Sequence, residues 1–83
     1  MIEKIDAPVS VNLVYDHTQK RVFPKHVKWE GKTYEILKVG LHHSFYDGKI
    51  LYHIFSAVSS TLFFKLKLNT ENLSWRLEEI ADA

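Results

Sequence analysis

The residues best suited to chemistry in this sequence are its five histidines, His17, His26, His42, His43 and His53. Two of them become partners once a hairpin is drawn about Asp47-Gly48. That pairing sets His42 opposite His53, Phe45 opposite Ile50, His43 opposite Tyr52 and Leu41 opposite Ile54. Directly opposed Cβ atoms lie ~4.5–5.5 Å apart, near enough for two imidazoles to share one Zn²⁺. A catalytic zinc takes three protein ligands, and the third would come from His17, His26, Glu35 or Asp47. The expectation is a candidate metal pair of His42 and His53, set against histidines that are merely structural. His43 points to the face opposite His42 and cannot join it in chelation.

Other chemistries find less to work with. Cysteine is absent, so there is no thiol nucleophile, thiolate metal site or disulfide. No serine stands in a nucleophile-elbow sequence. Glu35 and His26, near each other across a second hairpin, come nearest to an acid–base pair, and a cross-strand polar pair on a wet face explains them equally well. Gly31, Gly40 and Gly48 are isolated, each with a turn or bend to explain it, so no phosphate-cradling loop is present. The expectation is a protein without enzymatic activity and without a cofactor.

Charge points to binding. Between Lys20 and Lys67 nine basic residues face only Glu30, Glu35 and Asp47, whereas the stretch from Glu71 onward is acidic; the whole chain carries a formal charge of +1. Small antiparallel sheets bind single-stranded nucleic acid by stacking bases on exposed aromatics beside Lys and Arg. The residues expected to do so are Lys25, Lys28, Trp29, Lys32, Tyr34, Lys38, Lys65 and Lys67, with Tyr46, Phe55 and Phe63 as further platforms. The competing assignment has lysines guarding sheet edges and aromatics filling the core.

A protein-interaction module, or a small homo-oligomer using an exposed sheet edge, is the alternative of a different class. Adjacent Phe63 and Phe64 on one strand support it: one ring faces the core and the other needs cover. The partner classes are thus nucleic acid or a replication or repair protein, with the chain itself a monomer or weak homodimer.

These residues need strands to position them. Val9, Val11, Leu13 and Tyr15 alternate with more polar neighbours and predict a strand over residues 8 to 15. A second runs from Arg21 to Trp29, with Pro24 marking an edge or bulge. Glu30-Gly31 has the length and composition of a type I′ hairpin loop, which pairs Trp29 with Lys32, Val27 with Tyr34 and Lys25 with Ile36. A long strand then runs from Lys32 toward Phe45, bending at Gly40. Beyond Asp47-Gly48 comes a fourth strand, then a small-residue turn at Ala57-Val58-Ser59-Ser60. Leu62, Phe64, Leu66 and Leu68 alternate as a fifth. Residues from Leu73 onward fit a sixth strand, with a helix as the rival because Leu73, Leu77 and Ile80 also share a helical stripe.

The fold expected is all-β: an antiparallel meander of five or six strands, forming a curled sheet or an SH3-like, partly open barrel. Eighty-three residues leave room for a single domain, 1–83. No stretch approaches the ~18 apolar residues of a membrane span, so the expected location is cytoplasmic, away from membranes.

The segments Phe23-Pro24, Val27-Lys28-Trp29-Glu30-Gly31-Lys32-Thr33-Tyr34-Glu35-Ile36, Phe63-Phe64-Lys65-Leu66 and Leu73-Ser74-Trp75-Arg76-Leu77 together resemble a group of small bacterial all-β domains of unknown function. In that group a hydrophobic-x-Trp-x-Gly-x-x-Tyr hairpin precedes a Tyr-x-Leu strand and a closing Trp-x-Leu strand. Its members occur alone or near translesion-type DNA polymerase proteins, so the resemblance implies a replication or repair setting. This sequence departs from the pattern where Phe64-Lys65-Leu66 replaces Tyr-x-Leu and where the middle hairpin lacks tryptophans.

Overall fold

A computed structural model describes residues Met1–Ala83. The chain forms eight strands and no helix: β1 (Ile2–Pro8), β2 (Ser10–Asp16), β3 (Arg21–Trp29), β4 (Lys32–Glu35), β5 (Lys38–Asp47), β6 (Ile50–Val58), β7 (Leu62–Asn69) and β8 (Trp75–Asp82). All pairings are antiparallel. The strands divide into a five-stranded sheet, β1-β8-β7-β6-β5, and a three-stranded sheet, β2-β3-β4, rather than closing into one barrel.

The chain changes sheet twice, and at each change a backbone hydrogen bond spans the gap. Val9 N–H donates to the Trp75 carbonyl (3.3 Å) as β1 passes into β2. Beyond β4, Ile36 N–H donates to the Lys25 carbonyl of the small sheet (2.9 Å) and Leu37 N–H to the Val58 carbonyl of the large one (2.7 Å). The long strand expected from Lys32 to Phe45 is therefore two strands in different sheets. The sequence hides the crossing, because Ile36 and Leu37 bring no Gly, Pro or turn residue to mark the place where the hydrogen-bond partners change sheet.

Glu30 (φ 53°) and Gly31 (φ 77°) both occupy the left-handed region, as a type I′ loop requires, and the expected pairing of Trp29 with Lys32 and Val27 with Tyr34 is present. The next hairpin differs. Asp47 pairs with Ile50, so the loop is Gly48-Lys49 rather than Asp47-Gly48. Gly48 has φ 62° and Lys49 is not among the positive-φ residues, the pattern of a type II′ turn with Gly first. Every partner along β5 and β6 shifts by two residues: His42 faces Phe55, His53 faces Ser44, His43 faces Ile54 and Phe45 faces Tyr52.

A two-residue shift preserves which side chains share a face. The bulge at Gly40 does not. Val39 pairs with Ala57 but Leu41 pairs with Ser56, so Val39 joins the inward face of His42, His53, Phe55 and Ala57, away from Leu41.

Seven buried residues drawn from both sheets form the core: Val27 and Ile36 from the small-sheet segment meet Phe55, Ala57, Phe64, Leu66 and Leu77 of the large sheet. Tyr34 packs edge-on against Phe64 across the interface, with centroids 5.1 Å apart. Pro24 is also buried and sits opposite Leu13 at a bulge in β3, where its missing N–H costs the ladder nothing. The segment from Leu73 is strand from Trp75 onward, since Leu77 and Ile80 are held by Leu66 and Phe64 in the register of β7. No helix is long and apolar enough to cross a membrane.

Candidate functional site

The five-stranded sheet carries two places where polar and aromatic groups converge, one on each face. On the face toward the small sheet, His42 and His53 occupy diagonal positions of β5 and β6. Their rings nevertheless meet: Nε2 of His42 lies 2.7 Å from Nδ1 of His53. His42 also lies flat on Phe55, with centroids 4.2 Å apart and planes 10° from parallel. The direct opposition expected from sequence is thus replaced by a diagonal pair with Phe55 beneath it.

This packing pushes the His42 pKa below its ordinary value. Burial of one ring face against Phe55 is the largest cause, followed by repulsion from His53 and then His43. Two imidazoles are all the metal-ligating chemistry that gathers here, for no three His, Cys, Asp or Glu side chains come together anywhere in the chain. His17, His26, Glu35 and Asp47 do not complete a site with the pair. His26 does stand opposite Glu35. The Glu35 carboxylate, however, is 3.8 Å from Lys25 Nζ on an exposed face, an ion pair rather than an acid–base couple.

On the outer face of the large sheet, Phe45 of β5 and Tyr52 of β6 are directly opposed and stacked, with centroids 5.5 Å apart and planes 24° from parallel. Lys67 of β7 sets Nζ 4.3 Å from the Tyr52 centroid and 5.7 Å from that of Phe45. Phe45 is 40% exposed. Beside them Ile54, 3% exposed, lies between its cross-strand neighbours His43 and Lys67 and gives the patch a rigid base. Lys65 and Arg76 on the same face are engaged with Glu79 (3.8 Å) and Asp6 (2.9 Å). No carboxylate lies within ion-pair distance of Lys67.

The residues singled out from sequence for nucleic-acid contact fall in separate regions. Lys25, Lys28, Trp29, Lys32 and Tyr34 belong to the small sheet, Lys38 to the start of β5, and Lys65 and Lys67 to the outer face of the large sheet. Trp29 and Tyr34 pack on the core, and Lys32 Nζ rests 5.2 Å from the Tyr34 centroid. Phe55 is 1% exposed and offers no platform. These three aromatics are structural because Trp29 and Tyr34 alternate in phase with Val27 and Ile36 of the small-sheet segment, and Phe55 alternates in phase with Ala57 on β6. Tyr46 and Phe63 are exposed, at 71% and 44%, but stand apart from the Phe45 and Tyr52 pair. Phe64 turns inward while Phe63 faces out in a groove with Ile2 and Ala81.

Phe45 and Tyr52 were not among the residues picked out from sequence. The missed signal was the register: with Gly48-Lys49 as the loop, the two aromatics become direct neighbours on one face. No family model, curated protein or solved structure matches this chain.

Proposed function

We propose that the protein is a non-enzymatic binding module whose outer sheet face takes single-stranded nucleic acid. Bases stack on Phe45 and Tyr52, and the backbone runs past Lys67 toward Lys65. The observation that carries this reading is the stacked pair with a lysine over it, an aromatic platform and a cation within one small patch. Base–aromatic stacking is worth ~1–3 kcal/mol per base, and a sequence-tolerant platform of this kind needs no hydrogen-bond readout. The formal charge of +1 limits the phosphate contribution, so binding is modest and sensitive to salt.

The test is fluorescence anisotropy of a labelled oligothymidine at low and at physiological salt. Each phosphate neutralised on a single strand contributes a slope of about −0.7 in log affinity against log salt. A Tyr52→Ala variant is expected to lose about tenfold or more in affinity, and Lys67→Gln to flatten the salt dependence. Binding that survives both substitutions would end this reading.

A second reading is favoured by the free edge of β5. Along Leu41-His42-His43-Ser44-Phe45-Tyr46 that edge has no Lys, Glu, Asp or Pro to discourage an added strand, and Leu41 and Tyr46 are 68% and 71% exposed. Strand addition from a protein partner would respond little to salt.

A further inference from the structure

At the end of the molecule formed by the β2–β3 and β5–β6 hairpins, the two sheets do not close on each other. Leu13 and Val22, on the strands of the small sheet, stay 42% and 38% exposed. Between them and the large sheet opens a cleft of about 490 Å³. Its floor is Phe55 and Leu68, and the only side chains with titratable or charged heads along it are His42, His53, Lys20 and Arg21. No carboxylate lines it.

We propose that this cleft binds an amphipathic carboxylate, a small molecule with an apolar body and a single anionic head. Leu13, Val22 and Leu68 hold the body, and the histidine pair with Lys20 receives the head. The site lies on the opposite face of the large sheet from Phe45 and Tyr52 and stands independently of the nucleic-acid reading.

The chemistry of the pair suits an anion. With Nε2 of His42 and Nδ1 of His53 sharing one hydrogen, Nδ1 of His42 and Nε2 of His53 make no hydrogen bond within the chain. The neutral pair offers one donor from these two nitrogens; adding a proton makes both of them donors. An anionic head therefore favours protonation of the pair, and binding takes up a proton. The groups facing the pair across the cleft are Lys20 and Arg21; on its own sheet His43 neighbours it, pointing to the other face. The Arg21 guanidinium rests over Phe23, 5.2 Å from the centroid, whereas Lys20 makes no ion pair or ring contact and is the fixed charge free to meet an anion.

Three polar atoms, Nδ1 of His42, Nε2 of His53 and Nζ of Lys20, over an apolar floor predict discrimination by head group, which octanoate, octan-1-ol and octylamine test with one shared body. In a ¹H–¹³C NMR titration of the full chain, octanoate is expected to shift the Leu13 and Val22 methyls and the His42 and His53 ring signals. Its affinity should rise as pH falls from 8 to 6, approaching tenfold per unit where the bound pair holds a proton that the free pair lacks. Octanol should bind at least severalfold more weakly and without pH dependence, and octylamine not detectably. In His42→Leu, which keeps the cleft apolar, octanoate should fall to the level of octanol, whereas Lys20→Ala should weaken it about two- to fivefold. Equal affinity for octanoate and octylamine, or shifts confined to other surfaces, would overturn the proposal.

Discussion

Nε2 of His42 and Nδ1 of His53 stand 2.7 Å apart although the two residues are not directly opposed: His42 faces Phe55 and His53 faces Ser44. The diagonal reach is made by two rings leaning toward each other over Phe55, at centroid distances of 4.2 Å from His42 and 6.4 Å from His53. The aromatic floor desolvates one face of His42, and the second imidazole makes a positive charge there costly.

This relationship fixes the sign of an acid effect on stability. The folded pKa of His42 lies below its ordinary value of 6.5, so below that pH the unfolded chain binds protons that the folded chain resists. The His42 contribution is complete above about 6.5, declines as pH falls beneath it, and levels off once the pH is below the folded value. Thermal melts between pH 8 and pH 5 are expected to show a falling Tm in acid, with a smaller fall in His42→Phe. An equal fall in both proteins would contradict the assignment.

The two-sheet core makes a steeper prediction. Leu66 and Leu77 are fully buried and directly opposed on β7 and β8. Replacing either with Ala removes its transfer free energy and leaves a cavity, a loss of about 2–5 kcal/mol. Against a total of about 5–15 kcal/mol for a domain, this is a large share of the stability. Urea denaturation followed by tryptophan fluorescence measures it.

Backbone geometry at the β3–β4 hairpin predicts a gain. Glu30 has φ 53°, a left-handed conformation that Asn tolerates far better, and its neighbour Gly31 has φ 77°. Glu30→Asn is expected to stabilise the protein by about 0.5–1 kcal/mol, and Gly31→Ala to destabilise it by about 1 kcal/mol. No heavy atom lies within 4 Å of a Cβ built on Gly31, so the second effect is purely conformational. Chemical denaturation of both variants in parallel checks the opposite signs.

Local patterns in the sequence led to much of this architecture and failed where pairing is long-range. The Glu30-Gly31 loop, the alternation of β7 and the bend at Gly40 all follow from residues close in sequence. β1 was missed because Ile2-Glu3-Lys4-Ile5-Asp6 lacks two-residue alternation; it is extended through pairing with β8, 68 to 79 positions away (Pro8 with Arg76, Ile2 with Ala81), and is bulged where Asp6 takes φ 48°. The split between β4 and β5 was hidden for the same reason. At the candidate site, placing the β5–β6 loop one residue early concealed the Phe45 and Tyr52 stack, although it left His42 and His53 on their shared face. Trp29 and Tyr34 looked like binding aromatics until the second sheet placed the core above them.

Whether Phe45, Tyr52 and Lys67 form a nucleic-acid platform is read from a ¹⁵N-amide NMR titration with short single-stranded and duplex oligonucleotides at low and physiological salt. Shifts are expected to centre on Phe45, Tyr52 and Lys67, stronger for the single strand and diminished by salt, with the small sheet around Lys28 unmoved. An absence of shifts at either salt, or shifts centred on the small sheet, would contradict this assignment.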